Sequence, residues 1–324
     1  MVFFSLVAVG WMAICALFFV WLERKVSARI QSRLGPVYVG GRFGWAQTPA
    51  DALKLLMKED LVPESADRLL FNIAPAIAFM ATLLTFVAIP IGNGLVIADL
   101  DIGIFFILAV SSLGVIGIIM GGWASNSKWS LYGGMRAASQ IVSYEIPVAL
   151  SLIGVVMIAG TLNLVEIGRG QAGGIWNWYL FKSPFLFAAG IVYFIAALAE
   201  VNRTPFDLPE AESELVSGYN TEYSGMKFAF FFLAEFANLF VISAVAVVMF
   251  LGAWNSFLPW QILPGPIWFL GKVFFLVLVI MWLRWTLPRL RVDQLMHTCW
   301  KVLIPISMVL LIGVGVQMWL FPGN

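Results

Sequence analysis

Apolar runs of roughly twenty residues recur along the whole chain, and each is long enough to cross about 30 Å of hydrocarbon as a helix. Eight stand out, over 2–22, 72–92, 102–122, 141–160, 183–199, 229–251, 266–286 and 302–321. A soluble chain of 324 residues needs a polar surface, and this one has 61% hydrophobic and 11% charged residues. Ordinary soluble domains have about half and about a quarter. The expected class is therefore all-α, a single polytopic transmembrane domain of eight helices rather than a barrel. The first run, Val2 to Leu22, is too long for a signal h-region and has no basic residue before it, so it reads as a span.

The formal net charge is +1, so partners cannot be read from the total. Distribution says more. Sixteen of the nineteen Lys and Arg residues fall on the side of the loops that follow spans one, three, five and seven. The positive-inside rule assigns that side to the cytoplasm and both termini to the exterior. Loops 23–71 and 200–228 and Asp293 also hold thirteen of the eighteen acids, so the chemistry concentrates on the same face. No pair of matching halves is evident, which disfavours a secondary transporter built on repeats.

Redox centres are limited by ligand supply. The chain has two cysteines, Cys15 and Cys299, and one histidine, His297. These cannot supply a four-thiolate iron–sulfur cluster, a bis-histidine haem or a zinc site of usual ligand count. No cofactor is expected on this chain alone, and no metal ligand is assigned.

In the first charged loop, Gly35-Pro36 signals a turn. Thr48-Pro49 reads as a helix start, with Thr48 as N-cap and Asp51 in the first turn, where the dipole favours a carboxylate. That helix would carry Leu53, Leu56 and Met57 on one side and would lie at the interface. Simple basic anchoring to anionic lipid is one reading of the loop. Six acids among eight bases favour a charged surface facing another protein.

In the second loop, Asp207 can cap a short helix entered at Pro209 and ended by Gly218. Glu210 and Glu214 are i, i+4 neighbours there, with Glu212 between them. Repulsion and desolvation together raise carboxyl pKa values in such a cluster. Glu145 and Glu235 fall inside spans, with no basic residue nearby in sequence. A charge at mid-membrane costs about 2.5–3.5 kcal/mol, so both should face protein or water and suggest a proton or ion relay. Gly168-Arg169-Gly170-Gln171-Ala172-Gly173 matches G-x-G-x-x-G, but without a βαβ context it assigns no nucleotide site.

Four segments carry a resemblance: E-R-K with Q-x-R-x-G-P after the first span; A-D-A-L-K-L and K-E-D; R-A-A-S-Q-I-V-S-Y-E-I-P; and A-E-V-N-R-T-P-F-D-L-P-E-A-E-S-E-L-V-S-G-Y-N-T-E-Y-S-G-M-K at 199–227. They resemble the NuoH-type family of respiratory complex I, equivalent to mitochondrial NADH dehydrogenase subunit 1, essentially end to end. One departure is Val37, where the family usually has Asn after Gly-Pro.

The resemblance implies a membrane subunit of proton-pumping NADH:quinone oxidoreductase without a redox centre of its own. FMN and iron–sulfur clusters would sit on partner subunits. Peripheral-arm quinone-reducing subunits would dock on the cytoplasmic loops, and small and antiporter-like membrane subunits would flank it. Glu23, Arg24, Arg33 and Asp51 would line or support a quinone chamber. Arg203, Asp207, Glu210, Glu212 and Glu214 would form the loop beneath the quinone headgroup. Glu145, Glu200, Glu222 and Glu235 would continue as a buried acidic path. The implied location is the bacterial inner membrane, or the mitochondrial inner membrane if organellar. A membrane component of a hydrogenase or formate hydrogenlyase and a stand-alone cation transporter are the competing readings. The first-loop pattern disfavours the former, and the interlocked charged loops disfavour the latter.

Overall fold

The computed structural model describes residues 2–209, 215–258, 260 and 263–321. Among these the chain is helical apart from loops and one isolated bridge between Gly92 and Leu95. In chain order we label α1 (Val2–Ile30), α2 (Gln47–Met57), α3 (Arg68–Ala88), α4 (Gly103–Ala124), α5 (Lys128–Ala159), α6 (Leu164–Arg169), α7 (Tyr179–Lys182), α8 (Pro184–Glu200), α9 (Gly225–Met249), α10 (Gly265–Thr286) and α11 (Val292–Leu320). Seven are long and apolar enough to span a bilayer, and α8, with 17 residues, is a shorter eighth apolar helix. The fold is thus all-α and polytopic, as the apolar runs require.

Three helices outrun their apolar segments, α11 among them, which starts at Val292 and not near residue 302. α1 continues past Leu22 through Glu23, Arg24, Lys25 and Arg29 to Ile30, and α5 begins at Lys128, well before residue 141. Arg, Lys, Glu, Gln and Ala are strong helix formers, so a change from apolar to polar composition need not end a helix. Apolarity marks where lipid ends, not where hydrogen bonding ends. Other ends follow local capping. Asp67 accepts from the N–H groups of Leu69 and Leu70 to start α3, and Ser183 accepts from Phe185 N with Pro184 next in line to start α8. Within α11 a π turn spans Cys299–Leu303, just before Pro305, whose missing N–H and ring oppose a regular bond to residue 301.

Thr48 does not cap α2. The N-cap is Ala46, the helix starts at Gln47, and Thr48 is buried inside it. Asp51 consequently lies beyond the first turn. Arg24 of α1, with Gln47 and Lys54 of α2 itself, holds this carboxylate in place of the dipole. The exposed face with Leu53, Leu56 and Met57 is as expected for an interfacial helix.

Helices in lipid gain little from hydrophobic exclusion, so close backbone approach at small residues matters. At Gly117 on α4 an added Cβ would lie 2.8 Å from Ala78 N and 2.9 Å from Ala74 O of α3. Only a residue without a side chain admits that contact. α9 is the central helix: 78% of its most apolar window is buried, and no other span exceeds 50%. Glu235 sits on this helix and is largely enclosed by protein. Lys272, the lone basic residue within the apolar stretch of α10, is satisfied without a carboxylate. Its ammonium donates to the carbonyls of Leu251, Ala253 and Asn255 at 2.6, 3.0 and 2.7 Å, and lies 4.1 Å from the Trp178 ring centroid. At the same end the glycine-rich match serves packing. Gly168 lies against the Trp254 ring, and its carbonyl accepts from Asn255 Nδ2 at 2.7 Å.

Candidate functional site

Four segments bring charge together at the end of the bundle that carries loops 23–71 and 200–228. Glu23 stands on the polar extension of α1 and is 9% exposed. It accepts from Arg284, near the end of α10, and from Arg203 Nη1 at 3.3 and 3.4 Å. Arg203, in the loop after α8, is 4% exposed. Its Nη2 lies 3.0 Å from Glu235 Oε1 on α9, and its guanidinium lies 4.4 Å from the Phe236 ring centroid. The order is Arg284, Glu23, Arg203, Glu235, with alternating sign and no net charge. Alternation is what permits burial, because an unpaired ion in this setting would cost several kcal/mol.

A cavity of about 220 Å³ opens on this network, lined by Glu23, Arg24, Ser27, Arg203, Arg284 and Glu235 with Phe232 and Phe236. Glu235 also lines a second cavity of about 70 Å³, with Thr82, Ser111, Asn202, Tyr219, Asn238 and Glu200 in its lining. The rest of its lining is apolar, and the volume has room for water beside the polar groups, each molecule needing roughly 10–15 Å³ of such space and two or more polar partners. Glu200 closes α8 and is within electrostatic reach of Glu145 on α5. The Oε1 atom of Glu145 is buried with no protein partner among the described residues.

Arg24 is the neighbour of Glu23 in sequence but points to another contact, the ion pair with Asp51 on α2. Gln47 Nε2 donates to Asp51 at 3.1 Å, and Lys54 lies 3.3 Å away. Partial burial alone would raise the Asp51 pKa. The hydrogen bond and charge of Arg24, with the hydrogen bonds of Lys54 and Gln47, outweigh it and hold the carboxyl below its ordinary range. This pair ties the interfacial helix to α1 beside the larger cavity.

The loop after α8 is fixed from two sides. Asp207 accepts from Arg289 Nη2 at 3.2 Å, and Pro205 O accepts from Leu290 N at 3.0 Å. From α5, Gln140 Nε2 donates to Ala199 O, Phe206 O and Asn202 Oδ1 at 2.7, 2.8 and 3.0 Å.

Of the residues singled out in the sequence, Glu23, Arg24, Arg203 and Glu235 meet at one cavity, with Asp51 joined to it through Arg24. Glu200 shares the second cavity with Glu235. Arg33 lies apart, exposed in a separate groove, its Nε donating to Gln31 Oε1 at 2.6 Å. Glu222 is half-buried in the turn after a 3-10 segment at Gly218–Asn220 and lines neither cavity. Glu210, Glu212 and Glu214 lie outside the described residues, as does the stretch 210–214 of the short helix expected from Pro209 to Gly218. Sequence reasoning missed Arg284 and Gln140 as site residues. Arg284 has the one available signal, a basic residue closing an apolar span on the side where the acids lie.

The NADH dehydrogenase family model matches residues 3–315. The chain is 50% identical over 316 residues to a protein of Chlorobium luteolum named as the H subunit of NADH-quinone oxidoreductase, covering 94% of this chain and 85% of that one. Proteins of the same name are 51% identical over 303 residues in Chlorobaculum parvum, covering 90% and 84%, and 49% identical over 302 residues in Geobacillus kaustophilus, covering 92% and 88%.

Proposed function

The chain belongs to the NADH dehydrogenase family, and from that premise we propose that it is the NuoH-type membrane component of an NADH-quinone oxidoreductase, that it forms part of the quinone chamber, and that it couples quinone reduction to proton translocation. The observation that carries this reading is the alternating line Arg284, Glu23, Arg203, Glu235 between two cavities that share Glu235.

The larger cavity combines a charged floor with Phe232 and Phe236. That pairing suits a quinone, whose headgroup is polar and whose tail is apolar. Reduction of a quinone to a quinol takes two electrons and two protons. FMN and iron–sulfur clusters on peripheral-arm partner subunits would supply the electrons; this chain supplies position, charge and a proton path. As electrons arrive, negative charge grows at the headgroup. A unit charge about 10 Å from an ion changes its energy by about 1.7 kcal/mol at an effective dielectric near 20. Arg203 and Arg284 are drawn toward the new charge, and their hold on Glu23 and Glu235 weakens. Glu235 then takes a proton from the side of the smaller cavity, and Glu200 and Glu145 pass the change inward toward the antiporter-like subunits. Glu222 and the acidic segment 210–214 join this set by sequence. The Arg24–Asp51 pair fixes α2 beside the chamber and shapes its entrance.

Purification of the intact membrane complex tests the reading. Co-purification with flavin and iron–sulfur subunits, and NADH oxidation that depends on added quinone, are expected. A complex that evolves hydrogen from formate and leaves quinone untouched would overturn it, as would a chain that transports cations alone.

A further inference from the structure

One face of α1 carries Ile14, Phe18, Trp21, Lys25 and Arg29, spaced three or four residues apart and therefore aligned. This face runs from an apolar groove into a basic one. The apolar groove, about 440 Å³, is lined by Ile14, Phe18, Ile267, Leu270, Gly271 and Phe274 among others, with no charged residue. Ile14 is 63% exposed, and nothing stands within 4 Å of where a side chain on Gly271 would begin. The basic groove, about 990 Å³, has Lys25, Arg29, Arg33 and Arg42 as its charged lining, with no carboxylate among the described lining residues. Several other cations at this end of the bundle are paired, as in Arg24–Asp51, Lys227–Asp60 and Arg289–Asp207.

Between the grooves Trp21 stacks on Trp45, with centroids 4.4 Å apart and planes at 13°, and its indole N–H donates to Phe43 O at 3.1 Å. Tryptophan with one apolar and one polar side marks the level of lipid headgroups. The four cations thus stand at headgroup depth and the apolar groove at acyl-chain depth.

We propose that this face of α1 is a binding site for one anionic phospholipid, with its phosphate among Lys25, Arg29, Arg33 and Arg42 and an acyl chain along Phe18 and Ile14. Lys25 Nζ already donates to Pro36 O at 2.6 Å, which orients it and leaves two further donors. Arg33 spends Nε on Gln31 and keeps the outer nitrogens of its fork, the geometry that matches phosphate oxygens. A zwitterionic lipid would leave the cation excess uncompensated. An acidic protein segment would match the cations but not the apolar groove that continues the same face below the tryptophan level.

The test uses the intact complex, purified in mild detergent, with phosphatidylglycerol and phosphatidylcholine as probes. Arg29 and Arg42 are exposed and outside the chamber, so an Arg29→Gln/Arg42→Gln double variant is expected to fold. It should retain about one anionic phospholipid fewer per complex, counted by mass spectrometry of extracted lipid. Its affinity for phosphatidylglycerol should fall by roughly fivefold per cation removed, with phosphatidylcholine binding unchanged. Gly271→Leu, which fills the apolar groove, should lower retention of long-chain phosphatidylglycerol but not of a short-chain analogue. An unchanged anionic lipid count in both variants would overturn the proposal. So would equal retention of phosphatidylcholine at the site, or loss of a protein subunit in place of lipid.

Discussion

Arg203 and Glu235 are 3.0 Å apart, joining the loop after α8 to the central helix α9. The same guanidinium reaches Glu23 on α1. One side chain therefore holds together three segments that are distant in sequence, and does so in the lining of the larger cavity.

Removing Arg203 should be more damaging than removing either of its partners. Arg203→Met leaves two carboxylates facing each other with a single compensating base, Arg284. Breaking a buried pair from one side costs about 3–5 kcal/mol. The expected outcome is a lower thermal midpoint or loss of assembly on native gels, partly restored in Arg203→Met/Glu23→Gln. Unchanged stability in the single variant would mean that these charges are solvated.

In the proposed chamber Arg24 stands at the entrance. Arg24→Ala releases Asp51 and loosens α2, but the pair is partly exposed and contributes at most about 1 kcal/mol. Quinone reduction should fall, chiefly through a higher KM for quinone, while NADH oxidation by a hydrophilic artificial acceptor stays near wild type. Equal loss of both activities in an assembled complex would count against an entrance role.

The pH dependence of that contact follows from the sign of the Asp51 shift. Its folded pKa is depressed. Its stabilisation is therefore complete above the unfolded value, about 3.9, and is lost only as pH falls through the lower folded value. Amide exchange protection in α2 should then be insensitive to this group between about pH 5 and 8 and should weaken below about pH 4. Weakening near neutrality that disappears in Asp51→Asn would contradict the sign.

The sequence made the membrane class and the candidate acids legible for physical reasons. An apolar run must match hydrocarbon thickness, and acids in spans must face protein. It did not reveal what the acids touch. Glu235 has no base near it in sequence, yet Arg203 reaches it because the loop after α8 folds back over α9. Thr48-Pro49 carried a plausible start signal, yet α2 begins at Gln47 and Asp51 answers to Arg24, a contact that local propensity cannot encode. The extension of α1 past Leu22 was hidden because apolarity reports lipid contact and not helicity.

Orientation rests on the distribution of Lys and Arg. A single cysteine placed at Ser217 should resist a membrane-impermeant thiol reagent in sealed right-side-out vesicles and react in inverted ones. Labelling from outside would reverse the assignment of loop 200–228.

The central claim is that Glu235 transmits quinone chemistry to proton movement, and the rates of quinone reduction and proton pumping, measured together in the Glu235→Gln complex, test it most directly. Glutamine keeps the size and can still accept from Arg203 but does not titrate. In an assembled complex reconstituted into vesicles, quinone reductase activity and proton pumping should be depressed together. Wild-type activity with a wild-type ratio would return Glu235 to a structural role and leave the line from Arg284 to Glu235 as an ion-pair brace alone.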